Sequence, residues 1–132
     1  MGRFVHEAAV TDPATGIVYL TEDEGPDGFY RFMPTNRDDL AAGGTLEMLA
    51  IAGMDGYDTA TGQTVGATLR TRWVPIADPD PEDAEENASA VLAQGVALGA
   101  ATFVALEGAF FHDGSVYFVA SEGGDEEQGQ VW

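Results

Sequence analysis

Apolar positions along this chain come in short runs, each closed by a cluster of Gly, Pro, Asp or Asn. Phe4–Val10 is followed by Asp12-Pro13-Ala14-Thr15-Gly16, a loop with Pro early and Gly late. Ile17–Thr21 is β-branched and aromatic, the clearest strand in the sequence. Glu24-Gly25-Pro26-Asp27-Gly28 breaks it, Phe29–Met33 resumes before Pro34, and a polar stretch ending in Gly43-Gly44 leads into Thr45–Ile51. Four short strands in sequence order predict one up-and-down sheet over residues 1–51.

Residues 52–100 break the pattern and read as an insertion. Gly53–Gly66, rich in Gly, Asp and Thr, is predicted loop, and Arg70–Ile76 is predicted strand with Trp73 as its anchor. Asp78-Pro79-Asp80-Pro81-Glu82-Asp83 then carries helix-start chemistry: Asp80 as N-cap, Pro81 at the first helical position, and acids in the first turn. Ala84, Ala88, Val91, Leu92 and Gly95 recur at helical spacing, which predicts a helix to about Leu98. The acidic run lacks the central Gly and terminal Glu of an EF-hand loop. Strand character returns over 101–132. Thr102–Phe111 and Ser115–Ser121 flank the tight turn His112-Asp113-Gly114, and Gly129–Trp132 begins a third strand.

Composition narrows the function classes. The 132 residues carry 23 acids against five arginines and no lysine, a net charge of −18. Phosphate backbones and anionic membranes would be repelled, so neither nucleic acid nor membrane is expected as a partner. The absence of cysteine removes disulfides, thiolate metal sites and a cysteine nucleophile. Met1–Glu7 has no signal-peptide layout, and no run reaches the roughly 20 apolar residues of a membrane helix. GxSxG, HExxH and P-loop motifs are absent. Most of the carboxylates read as a hydrated skin. The question is which few do not.

A short internal repeat bears on that question. Glu7-Ala8-Ala9-Val10, a turn, Val18-Tyr19-Leu20 and Glu22 align with Glu107-Gly108-Ala109-Phe110, a turn, Val116-Tyr117-Phe118 and Glu122, with a two-residue gap. Repeated four-strand units are the mark of a β-propeller, so the expected fold is mainly β: one and a half blades with an inserted α-helix. Strand alternation places Glu7 with Val5 and Ala9, and Glu107 with Phe103, Ala105 and Ala109. A carboxylate on an apolar face needs a base or a metal, and first strands of successive blades line one channel. Glu7 and Glu107, joined by Glu22 and Asp23, are therefore candidate metal ligands. The competing reading leaves both glutamates in water or paired with Arg3 and Arg31. His6, on the opposite parity, reads as a packing residue, and His112 as a solvated turn residue.

Several of these segments also carry a family likeness. Gly2-Arg3-Phe4, His6-Glu7-Ala8-Ala9, Val18-Tyr19-Leu20-Thr21-Glu22-Asp23, Phe29-Tyr30-Arg31-Phe32, Trp73-Val74, Glu107-Gly108, Val116-Tyr117-Phe118 and Gly129-Gln130-Val131-Trp132 together resemble the bacterial PhoX alkaline phosphatases. The resemblance implies a segment of an exported six-bladed propeller, periplasmic or extracellular. It implies hydrolysis of phosphate monoesters with calcium and iron, and it makes Glu7 and Glu107 metal ligands. Arg31 is a candidate substrate contact. The arginine the family carries two residues before its Glu-Gly glutamate is here Ala105. That change opens a second reading, a calcium-binding or structural module without catalysis. The family's greater length implies an interior piece with residues 101–132 as a partial second blade, inactive alone and prone to self-association through open sheet edges.

Overall fold

The computed structural model describes residues 1–132. Eight strands form two antiparallel sheets. β1 (His6–Thr11), β2 (Val18–Glu22), β3 (Phe29–Pro34), β4 (Gly44–Ile51) and β5 (Thr71–Pro75) pair in sequence order as the first. β6 (Leu106–His112), β7 (Ser115–Ala120) and β8 (Gln130–Val131) form the second. β5 was expected within the insertion; it pairs along β4 and extends the first sheet to five strands. The turn between β6 and β7, expected over His112-Asp113-Gly114, is the two-residue Asp113-Gly114 with His112 paired in β6; both turn residues are at positive φ, which matches the twist of the flanking strands.

The central strands of the first sheet, β2 to β4, are buried on both faces. Leu20, Tyr30, Leu46, Met48 and Val74 pack under helix α1 (Ala90–Ala97), whose Val91 and Leu92 point inward. Gly95 lies so close to Met48 that any Cβ there would collide with its side chain. The opposite face, with Phe29, Leu49 and Ile51, packs against Phe103, Leu106, Phe118 and Ala120 of the second sheet and the segment leading into it. Phe29 and Phe118 stack at 3.9 Å between ring centroids. Burial on both faces explains the near-continuous apolar stretch from Leu46 to Ile51, in which only Glu47 is charged.

The helix begins later than its sequence signals indicate. Residues 82–86 form turns, α1 starts at Ala90, and its N-cap is Ser89 rather than Asp80. Helical geometry would stack Glu82 against Glu85 and Glu86, and like charges at that spacing oppose a helix. As turns, the acids point into water. Arg3 bonds Asp80 and Glu85, and the Asp83 carboxylate accepts from Asn87 Nδ2.

Candidate functional site

The two repeat glutamates occupy the same structural position in different sheets. In β1 the register runs from His6↔Glu22 to Ala9↔Leu20, three residues against two, so Glu7 and Ala8 form a β-bulge opposite Thr21. In β6 it runs from Leu106↔Ala120 to Ala109↔Phe118, so Glu107 and Gly108 form the matching bulge. The repeat is therefore structural, including its two-residue gap, with one amendment. Glu22 corresponds to Ala120 and not to Glu122, because these are the residues facing His6 and Leu106.

The bulges also change which faces the side chains take. Directly opposed residues share a face, so His6 lies on the side of Ala9 despite the odd spacing, and simple alternation does not run through Glu7. Glu7 is exposed and Glu107 half-buried, with Ser121 Oγ 3.4 Å from its Oε1. The desolvation that alternation assigned to these two glutamates falls instead on Glu22. Of 23 acids, only Glu22 and Asp27 are buried.

Glu22 closes β2. Its Oε2 accepts from the Tyr30 hydroxyl at 2.6 Å and the Gly28 amide at 3.0 Å, while its Oε1 is buried without a partner. Burial pushes its pKa up to about 7 against the pull of those two bonds, with the Asp27 and Glu24 charges adding to the rise. Burial and Glu22 together push the Tyr30 phenol upward, so Tyr30 remains the donor. Gly28 makes this contact possible, since a Cβ there would strike the Tyr30 ring. Gly28→Ala is expected to cost about 1–3 kcal/mol, the usual penalty for overpacking, read as a lower urea midpoint.

Asp27, a turn residue by its sequence context, is the opposite case: both its oxygens are engaged. Oδ1 accepts from the Glu24 and Gly25 amides at 2.9 and 2.5 Å, and Oδ2 from the Leu106 amide at 2.8 Å. It ties the β2–β3 turn to the start of β6. One residue further along β6, the Glu107 carbonyl accepts from the Thr21 hydroxyl at 2.8 Å, and that hydroxyl accepts from the Ala8 amide at 2.9 Å.

The remaining candidates lie as follows. Asp23 is half-buried, its amide donating to Val5. Arg31 Nε and Nη2 lie 2.7 and 2.6 Å from Glu47 Oε2, and its guanidinium stacks 4.5 Å over Trp73, so the pairing of Arg31 is with Glu47. Arg3 pairs with Asp80 and Glu85, and no arginine forms an ion pair with Glu7, Glu22, Asp23 or Glu107. No three His, Asp or Glu side chains converge closely enough to hold a metal ion by themselves. Ala105 adopts a left-handed conformation (φ 47°), its carbonyl accepting from both the amide and the hydroxyl of Ser121.

The family model described as Alkaline phosphatase PhoX matches residues 1–131. The chain belongs to the PhoX alkaline phosphatase family. No curated protein and no solved structure matches it. Within this PhoX chain, Asp27 and Thr21 are the buried polar residues beside these glutamates that sequence reasoning missed. The sole signal for Asp27 was an acid in a Gly-Pro-Asp-Gly turn, the commonest place for a solvated one. Thr21 carried only its place in the Val18–Asp23 motif, being otherwise one β-branched residue in a strand that favours them.

Proposed function

We propose that this chain supplies carboxylate ligands to a metal-dependent phosphomonoesterase site of the PhoX type, with Glu7 and Glu107 as principal ligands and Glu22 and Asp23 as further ones. The observation that carries the reading is the pair of equivalent bulges. Bulges re-aim side chains next to active sites, and these two present a glutamate each from neighbouring sheets joined through one hydroxyl. The donor chemistry fits. The ligands are all hard oxygens, suited to calcium and compatible with iron, and Glu22 Oε1 is a buried acceptor in want of a cation or donor. The set is incomplete in these residues, so waters, substrate or other sheets supply the rest. When bound, such cations polarise a phosphoryl oxygen and activate an attacking oxygen. The protein's own part is to orient the carboxylates and to keep Glu22 screened from bulk water. Arg31 contributes to substrate only through Nη1, the nitrogen that Glu47 leaves free.

The propeller reading has a specific support. The second sheet lays its Phe118–Ala120 face on the first sheet's Tyr19–Phe29 face, and by the repeat these are non-equivalent faces. Packing of unlike faces is head-to-tail, the kind that forms a ring where the rotation closes. The second sheet's other face, with Phe110 and Tyr117 stacked at 4.9 Å and 57 and 37% exposed, has the composition of a surface that takes a further sheet.

Ala105 favours a second reading. A methyl group cannot grip a tetrahedral oxyanion as a guanidinium fork does. The chain then holds cations without turning over substrate, as a calcium-binding or structural propeller element. Titration with calcium, followed by p-nitrophenyl phosphate assays with calcium and iron, separates the two. We expect calcium uptake by the 132-residue chain, about tenfold weaker in Glu107→Gln; uptake without turnover at any metal level leaves the non-catalytic reading. Metal-dependent turnover would exclude the non-catalytic reading, and no uptake at millimolar calcium would exclude both.

A further inference from the structure

Glu7 and Glu107 belong to different sheets, and a shared ion requires their bulges to keep a fixed separation. Backbone ladders do not provide this: β1 pairs only with β2, and β6 only with β7. Thr21 bridges the gap. It stands opposite the first bulge, is fully buried, and uses its hydroxyl in both directions. The oxygen accepts from the Ala8 amide, which follows Glu7, and the proton goes to the carbonyl of Glu107 itself. Each bulge leaves a backbone group outside its own ladder, and one hydroxyl satisfies one from each.

We propose that Thr21 is a positioning residue that sets Glu107 against Glu7, so that cation affinity depends on its hydroxyl. The inference rests on the metal-ligand reading above. A hydroxyl is needed because the two partners are a donor and an acceptor; a methyl satisfies neither and an amide is too long. Thr21 is replaced by a single short group only in serine, which keeps the oxygen and loses the methyl.

The test uses the 132-residue chain and its Thr21→Val, Thr21→Ala and Thr21→Ser variants. Hydrogen exchange at the Ala8 amide reads the bridge itself, and calcium titration reads its consequence. We expect Thr21→Val and Thr21→Ala to lose Ala8 protection by at least tenfold and to bind calcium at least tenfold more weakly. Thr21→Ser is expected to stay within threefold of wild type in both. Thr21→Ala provides a smaller hydroxyl-free side chain should valine prevent folding. Calcium affinity unchanged in a folded hydroxyl-free variant overturns the positioning role and leaves the metal reading standing. A serine variant as weak as alanine also overturns it, since packing would then be responsible. A wild-type chain that takes up no calcium overturns the metal reading, and the positioning role with it, whatever the exchange at Ala8.

Discussion

Asp27→Ala is expected to destabilise the protein by about 3–5 kcal/mol, the cost of removing one partner from a buried charged network. Three amides converge on this carboxylate, and the Leu106 amide is buried with it. Against the total of about 5–15 kcal/mol typical of a domain, that loss is a large share of the margin. Urea unfolding checks it, with near-ultraviolet circular dichroism reporting on the Phe29–Phe118 stack between the sheets. Asp27→Asn is the milder probe. An amide keeps one oxygen for the turn but sets an NH2 group against another amide, and about 2 kcal/mol is expected to go. A midpoint unchanged in both variants would mean that Asp27 does not join the turn to β6.

The second large effect concerns pH. With a carboxyl pKa raised from 4.5 to about 7 in the folded state, Glu22 holds a proton that the unfolded chain has released over that interval. Unfolding then releases a proton, so stability falls as pH rises. Glu22's favourable contribution is complete below about pH 4.5, declines through the interval, and is gone just above pH 7. The size is about 3 kcal/mol at 1.36 kcal/mol per unit of pKa. The observable is the stability difference between wild type and Glu22→Gln in metal-free buffer. The glutamine variant is expected to gain on wild type by up to about 3 kcal/mol from pH 4.5 to 8, the titrations of the other acids largely cancelling in the difference. A difference that stays flat over this range would show that Glu22 ionises as an exposed carboxylate does. Calcium is expected to narrow the difference at pH 8, because a cation beside Oε1 favours the charged form.

Most of the strand pattern was legible from the chain because it is local. A β-branched run bounded by Gly and Pro needs no distant partner to be recognised, and Val18–Glu22, Phe29–Pro34 and Ser115–Ala120 lie where they were expected, to within a residue. Helix α1 was legible in its apolar spacing and not in its start. Capping chemistry at Asp80-Pro81 was outweighed by charge repulsion between successive turns. For the site, sequence comparison within the chain located Glu7 and Glu107 as a pair. It misjudged the faces, because a bulge shifts the two-residue period and shows only in the register with the neighbouring strand.

Glu22 and Asp27 mark the same boundary. Asp27 looked like an acid in a turn, where water is the ordinary partner, and Glu22 like a candidate ligand beside Glu7. Asp27 is buried where the start of β6 crosses over the β2–β3 turn, a contact between residues some 80 positions apart, and Glu22 where Gly28 and Tyr30 close over it. Sequence alone determined the β character, the turn positions, the repeat and the surplus of negative charge, all of which follow from residues close together or from simple composition. Tertiary structure decided which carboxylates lose their water, which are tied to amides, and that a threonine hydroxyl joins the two bulges. Desolvation and hydrogen bonding of this kind depend on which distant backbone arrives at a side chain, and that is set only when the sheets pack.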